Sequence, residues 1–193
     1  MPMPASGQAR IVPAAPFISE FGACAARRQP DLARALMATP VGSREEHRAA
    51  RRLAAGRSGC VRGRMRWLTM RAGSLRGAVA EALIENDPEA MARLRALPSQ
   101  PPVRAAEADG RAFVTAYARC IADAEPARSA RLLDLSPDAP AAEHRAAFVA
   151  FGSVLDDCMP IGLSYRLNPA DMRDHIAMRL YEIAYQAGRP AAD

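Results

Sequence analysis

The sequence FISEFGACAARRQPDLARAL, at residues 17–36, has a related copy, FVTAYARCIADAEPARSARL, at residues 113–132. The two stretches are 96 residues apart and share the order of their aromatic, cysteine, proline and leucine positions. The spacing of Phe17, Phe21 and Cys24 places these three side chains on one face of a helix. Proline is tolerated in the first turn of a helix but not in its interior, so each proline marks the start of a second helix. The stretch therefore predicts a pair of short helices, used twice.

The correspondence continues along the chain with small shifts in register. The sequence Glu-His-Arg-Ala-Ala recurs after 97 residues, a cysteine recurs after 98 and an arginine recurs after 97. Loops absorb such shifts. We therefore predict an internal duplication. The recurring positions are Glu46 and Glu143, Cys60 and Cys158, and Arg76 and Arg173.

The composition favours helices. Half of the 193 residues are hydrophobic, but only 5% are aromatic, and alanine is abundant. Alanine loses no side-chain entropy in a helix, whereas aromatic and β-branched residues do. We predict an all-α protein of eight to ten short helices, in two pseudo-repeats of about four helices each that share or abut one core. At most short extended pieces are expected, at residues 65–70 and 163–167.

Proline-rich segments mark the boundaries of the predicted units. The sequence PSQPP at residues 98–102 is the clearest interruption in the chain. We predict a flexible N-terminal segment at residues 1–15, a basic helical repeat 1 at 16–97, a Pro-rich linker at 98–108, a slightly acidic helical repeat 2 at 109–187 and a tail at 188–193.

Local capping signals predict where several helices begin. Ser43 and Glu46 have the spacing of a capping box, in which the hydroxyl and the carboxylate each bind a backbone N–H. Asp87 stands before a proline and predicts another helix start. One continuous helix is predicted at residues 141–155, followed by a loop that holds Cys158.

The charge is distributed unevenly between the two predicted repeats. All 26 basic residues are arginine, and the net charge of +5 combines +8 in residues 1–97 with −3 in residues 98–193. This asymmetry indicates either attraction between the halves or an anionic partner for the first half. A helix predicted to end near residue 55 has an exposed arginine face, formed by Arg44, Arg48, Arg51 and Arg52.

An arginine-rich stretch around Trp67 is the best candidate for an anion or nucleic-acid surface. Guanidinium groups bind phosphate, and an indole ring can stack on a base. The alternative is a solvated basic loop packed over the tryptophan, which we favour because the corresponding part of the second repeat keeps few of these arginines. The candidate contact residues are Arg57, Arg62, Arg64, Arg66, Trp67 and Arg71.

The four cysteines occur two per repeat, at spacings of 36 and 38 residues. Disulfides within the repeats, joining Cys24 with Cys60 and Cys120 with Cys158, fit this pattern; buried reduced cysteines are the alternative. Paired cysteines imply a periplasmic or secreted protein with a trimmed start, and reduced cysteines imply a cytoplasmic one. The N-terminal residues form no apolar signal segment, and no run approaches the roughly 18 apolar residues of a membrane span.

Catalytic and metal sites have little support in the sequence. The pairs Glu46-His47 and Glu143-His144 are adjacent along the chain, so their side chains diverge on a helix, and they favour a structural role near a helix N-terminus. A nucleophile pair of Cys158 with His144 ranks last among the alternatives. No zinc, P-loop or hydrolase motif occurs, and a chain without lysine cannot form a Schiff base. We predict no catalytic residue, no cofactor and no metal.

Two recurring arginines, Arg76 and Arg173, stand just inside the last helix of each repeat. We predict that each pairs with a recurring carboxylate, such as Glu46 or Glu143. Such pairs would stabilise the repeats from within.

The recurring order of cysteine, proline, glutamate and cysteine, followed by LRGAVAEAL at residues 75–83, resembles a group of uncharacterised, Cys-paired, internally duplicated helical proteins of GC-rich proteobacteria. The resemblance covers about residues 17–86 and 113–185 and implies no activity. We predict a non-enzymatic, disulfide-stabilised helical module that binds another macromolecule, first of all a protein, or serves a structural role. The alternative is a cytoplasmic nucleic-acid-binding or regulatory protein that uses the arginine-rich first half.

Overall fold

The computed structural model describes residues 14–55, 59–60, 72–106, 110–161 and 167–186. These ranges contain ten α-helices and no strand, which confirms the predicted all-α class. The extended piece predicted at 65–70 and most of the one at 163–167 lie outside them, as do residues 1–13 and 187–193. The helices are α1 (Ala14–Arg28), α2 (Pro30–Met37), α3 (Arg44–Ala54), α4 (Ala72–Glu85), α5 (Pro88–Ala96), α6 (Gly110–Ala124), α7 (Pro126–Leu132), α8 (Ala141–Val149), α9 (Ser153–Cys158) and α10 (Pro169–Gln186).

Helix starts follow the local signals of the sequence. Prolines stand in the first turn of α2 and of α7, where the missing N–H costs no hydrogen bond. The Ser43 hydroxyl accepts the backbone N–H of Glu46, as the predicted capping box requires, but the Glu46 carboxylate accepts the N–H of Gly42 rather than that of Ser43. Asp87 caps α5 by accepting the N–H of Ala90 at 2.9 Å.

The single helix predicted at residues 141–155 is wrong, because the chain forms α8 and α9 there. Gly152 separates them with a φ of 60°, a left-handed conformation that favours glycine. Phe151, just before it, is buried and ends the first segment in the core. The second correction concerns Cys158, which is the last residue of α9 rather than part of a loop.

The central helix is α4, which packs most extensively against α10 and α1. Two glycines permit these close approaches. A Cβ atom added at Gly22 of α1 would lie 2.7 Å from the Ala78 Cβ, and one at Gly77 would lie 2.5 Å from the Asp174 Cβ. Buried side chains surround α4 on all sides, as expected for a helix enclosed by others. They are Leu75, Val79, Ala80, Ala82, Leu83 and Ile84.

Both predicted disulfides are present. Cys24 is bonded to Cys60 and Cys120 to Cys158, with Cα–Cα distances of 5.6 and 5.7 Å. The first bond joins α1 to the residues after α3, and the second joins α6 to the end of α9. One hydrophobic cluster includes residues of both predicted repeats, so α4 and α10 contribute to a common core.

The helix bounds recur at the spacings found in the sequence. Both α1 and α6 have 15 residues, and their first residues are 96 positions apart. The starts of α2 and α7 are also 96 positions apart, and those of α4 and α10 are 97 apart. The internal duplication itself, and the division into repeats and linker, stay predictions.

Candidate functional site

The predicted arginine and tryptophan surface lies outside the described residues. This holds for all six of its members, which are Arg57, Arg62, Arg64, Arg66, Trp67 and Arg71. Their contact with an anionic partner stays a prediction. A cationic surface in the same half of the chain is described, and it belongs to α3.

The outer face of α3 carries four exposed arginines, as its sequence pattern predicts. None of their guanidinium groups forms an ion pair with a carboxylate of the described residues. Three of these arginines, together with His47 and Gly42, line a shallow depression of about 340 Å³. Residues three and four apart are neighbours on a helix surface, so these cations form one continuous patch. We call this patch the α3 arginine face; it comprises Arg44, Arg48, Arg51 and Arg52.

The recurring Glu-His pair of α3 has its glutamate inside. Glu46 is 2% exposed, and its carboxylate contacts the Arg76 guanidinium at 3.4 Å. His47 points to solvent, and its Nδ1 donates to the Ser43 carbonyl oxygen at 2.9 Å. The pair is structural, because its two side chains serve different partners.

The corresponding pair of α8 is oriented the other way round. Glu143 is exposed, and His144 is buried with 8% of its surface accessible. The Nδ1 atom of His144 is buried and has no hydrogen-bond partner among the described residues. The same dipeptide thus buries a carboxylate in one half of the molecule and an imidazole in the other.

Arg76 of α4 holds the end of α2. Its guanidinium donates to the carbonyl oxygens of Leu36 at 2.9 Å and Met37 at 2.8 Å, and to that of Thr39 at 2.9 Å. These are carbonyls that a helix C-terminus leaves without intrahelical partners. Burial lowers the pKa of Arg76 and the charge of Glu46 opposes this shift, so the predicted pairing with Glu46 is confirmed as one part of a larger set of bonds.

Arg173 of α10 holds the end of α7 in the same manner. It donates to the carbonyl oxygens of Leu132 at 3.1 Å and Leu133 at 3.0 Å. Its predicted pairing with Glu143 is wrong, because Glu143 faces solvent. The partner is Glu81 of α4, which accepts from Nε at 3.0 Å and from Nη2 at 2.5 Å. Both side chains are buried, and this ion pair joins helices of the two predicted repeats.

A cleft opens beside this ion pair. Its volume is about 310 Å³, and α1, α4, α8, α10 and the turn before α8 surround it. A second depression of about 230 Å³ adjoins it, because the two share Ser19, Glu81 and Pro137 in their walls. The sequence does not reveal this cleft, since its walls come from segments up to about 150 residues apart. Only the recurrence of His144 and Arg173 indicated any of its members. We call the two depressions together the acidic cleft.

Asp174 lies in the wall of the acidic cleft. Desolvation by burial raises the pKa of this carboxyl well above its ordinary value, and the negative charges of Glu81 and Asp171 raise it further. A hydrogen bond with Ser74 and the charge of Arg173 act in the opposite direction. Burial also raises the pKa of Glu85 at the adjoining depression, again with the charge of Glu81 as the second cause. The carboxyl groups of the cleft therefore repel one another in a partly dry environment.

Among the residues with a described structure, no group of three histidine, cysteine, aspartate or glutamate side chains is placed to hold a metal ion. The described helices also include none with the length and apolar character needed to cross a bilayer. Comparison with protein-family models, curated proteins and solved structures gives no match to this chain. The functional proposal therefore depends on the residues of this chain.

Proposed function

We propose that the protein is a non-enzymatic, disulfide-stabilised helical module that binds an acidic protein through the α3 arginine face. The observation that carries the proposal is the set of four exposed guanidinium groups on one helix, without carboxylate partners among the described residues. A structural role would not need such cations, because charges that serve only solubility are usually interspersed with charges of the opposite sign.

The scaffold supports such a role by holding α3 in place. Arg76 links α4 to the end of α2 and to Glu46 of α3, and the disulfide of Cys60 ties the residues that follow α3 back to α1. A rigid helix presents its side chains without a large ordering cost on binding. Arginine is suited to acidic surfaces, because its planar fork binds a carboxylate with two parallel hydrogen bonds.

The second candidate is nucleic-acid binding by the same face. Guanidinium groups bind phosphate equally well, and the predicted arginine and tryptophan stretch directly follows α3 in the chain. The two disulfides favour the protein partner, because stable disulfides belong to oxidising compartments outside the cytosol. A periplasmic or secreted location is part of the proposal.

Binding to fluorescently labelled poly-L-glutamate, compared with a labelled single-stranded DNA of equal charge, tests the proposal. The variant Arg44→Gln/Arg48→Gln/Arg51→Gln should weaken poly-L-glutamate binding about tenfold, which corresponds to roughly 0.5 kcal/mol for each exposed ion pair removed. The matched control, Arg93→Gln/Arg131→Gln/Arg145→Gln, removes the same charge from exposed positions on other helices and should stay within about twofold of the parent protein.

Equal losses in the two triple variants would contradict the proposal, because the effect would then follow net charge rather than α3. Much tighter binding to the DNA, with an affinity that falls steeply with salt, would replace the first candidate by the second.

A further inference from the structure

The acidic cleft has the dimensions and the walls of a ligand site. Its larger depression, of about 310 Å³, is within the range of small-molecule pockets. Apolar side chains line part of it, among them Ile18 in the larger depression and Ala78 and Ala82 in the adjoining one. The cleft is thus a channel with an apolar middle and charged groups along its length.

Acidic groups outnumber basic groups in both parts of the cleft. The larger depression holds Asp171 and Asp174, and the adjoining one holds Glu20, Glu85 and Asp138. Glu81 lies in the wall of both, but Arg173 neutralises it through two hydrogen bonds. Within the described part of the chain, no other arginine lines either depression, so the surplus of negative charge remains at both ends. The raised pKa values of Asp174 and Glu85 agree with this charge distribution.

His144 supplies a second, independent indication of a ligand. Its ring lines the larger depression and is more than nine-tenths buried, yet its Nδ1 atom has no hydrogen-bond partner among the described residues. Buried polar atoms are nearly always hydrogen-bonded in folded proteins, because an unpaired one costs about 1–3 kcal/mol. A neutral imidazole nitrogen accepts a hydrogen bond, so a ligand with an N–H donor would satisfy it.

The chemistry of the walls points to an organic cation rather than a metal ion. The described histidine, cysteine, aspartate and glutamate side chains offer no three-ligand metal site. An ammonium group needs only hydrogen-bond acceptors around it, and it provides three donors. Two acidic ends joined by an apolar middle match a molecule with two ammonium groups joined by an alkyl chain.

We propose that the acidic cleft binds an aliphatic diamine, with one ammonium group among Asp171, Asp174 and His144 and the other near Glu85 and Asp138. The alkyl chain lies along the apolar wall between them. This ligand is independent of the partner of the α3 arginine face, which lies on another surface of the molecule.

Isothermal titration calorimetry with 1,4-diaminobutane tests this proposal. At pH 7.5 and constant ionic strength, the parent protein should bind one equivalent saturably. Butylamine, with one ammonium group, should bind at least about tenfold more weakly, because it lacks the charged hydrogen-bonding group at one end. The uncharged 1,4-butanediol should not bind measurably.

Two variants locate the site. Asp174→Asn and Glu85→Gln should each weaken diamine binding about tenfold or more. The controls Asp31→Asn and Glu89→Gln remove the same charge from exposed positions outside the cleft and should leave the affinity unchanged. Far-UV circular dichroism and thermal melting establish folding; Glu85→Gln at the exposed rim keeps the test valid should Asp174→Asn fail to fold.

Absence of saturable diamine binding by the parent protein would overturn the proposal. So would equal affinity for butylamine, because recognition at two ends would then be absent. Equal losses in the cleft variants and in their exposed controls would also overturn it, since the binding would then report net charge alone.

Discussion

The Glu-His pair of α3 and the Glu-His pair of α8 have the same sequence and opposite orientations. In α3 the carboxylate of Glu46 is inside and meets Arg76, whereas in α8 the imidazole of His144 is inside and Glu143 meets solvent. The two halves therefore use one pattern of side chains for two purposes. The first half completes its own buried ion pair, and the second leaves an imidazole in the wall of a cleft.

This difference changes how the halves are joined. Arg76 finds its carboxylate within its own half, whereas Arg173 takes Glu81 from the first half. The pair of Arg173 and Glu81 spans 92 residues of sequence and lies between α10 and α4. The outward turn of Glu143 in one half is thus accompanied by a connection between the two.

Replacing each buried arginine by methionine measures that difference. Arg173→Met should lower the free energy of unfolding by about 3–5 kcal/mol, because it leaves the Glu81 carboxylate buried without compensation. Arg76→Met should cost less, because Glu46 keeps its hydrogen bond from the Gly42 N–H and meets Arg76 only at 3.4 Å. Urea denaturation of both variants gives the comparison.

The double variant Arg173→Met/Glu81→Gln serves as the control for buried charge. It should recover a large part of the stability that Arg173→Met removes, since the uncompensated carboxylate is gone. Equal costs for Arg76→Met and Arg173→Met would show that the end of each short helix, rather than the carboxylate, determines the stability.

The disulfides represent what the two halves have in common. They close loops of 36 and 38 residues, so the chain-entropy model gives each about 4 kcal/mol. Cys24→Ala/Cys60→Ala and Cys120→Ala/Cys158→Ala should therefore destabilise the protein by similar amounts. Chemical denaturation of the two double variants, both still carrying the other disulfide, gives the values. A difference of more than about 2 kcal/mol would mean that loop entropy is not the main contribution.

Helix starts and disulfide partners could be predicted from the sequence because they depend on local chemistry or on a repeated spacing. Pro30, Pro126, Ser43 and Asp87 each mark a helix start through a bond that is formed or missing within one turn. The cysteine pairs follow from two nearly equal spacings. None of these features requires knowledge of how the helices pack.

The cleft and the partner of Arg173 could not be predicted because they depend on tertiary packing. The sequence shows Glu143 beside His144, but a shift of one residue on a helix moves a side chain by about 100°, and the packing of α8 decides which of the two is buried. The break at Gly152 had a signal, a glycine after an aromatic residue, which the apolar run around it concealed. The close crossing of α4 and α10 at Gly77 and Asp174 joins positions 97 residues apart.

The crossing at Gly77 and Asp174 carries the smallest and most specific of these predictions. Asp174 contributes to stability while it is protonated, because its pKa in the folded protein is raised above its ordinary value of 3.8. This contribution is complete below that value and is lost as the pH rises through the folded-state pKa. The negative charges of Glu81 and Asp171 oppose ionisation, and Ser74 and Arg173 favour it. Asp174→Asn keeps the size of the side chain and cannot ionise, so it should raise the melting temperature at pH 8 and leave it almost unchanged at pH 4. The exposed variant Asp31→Asn should show no such dependence, and a melting temperature of Asp174→Asn below that of the parent protein at pH 8 would mean that the ionised carboxylate stabilises this crossing.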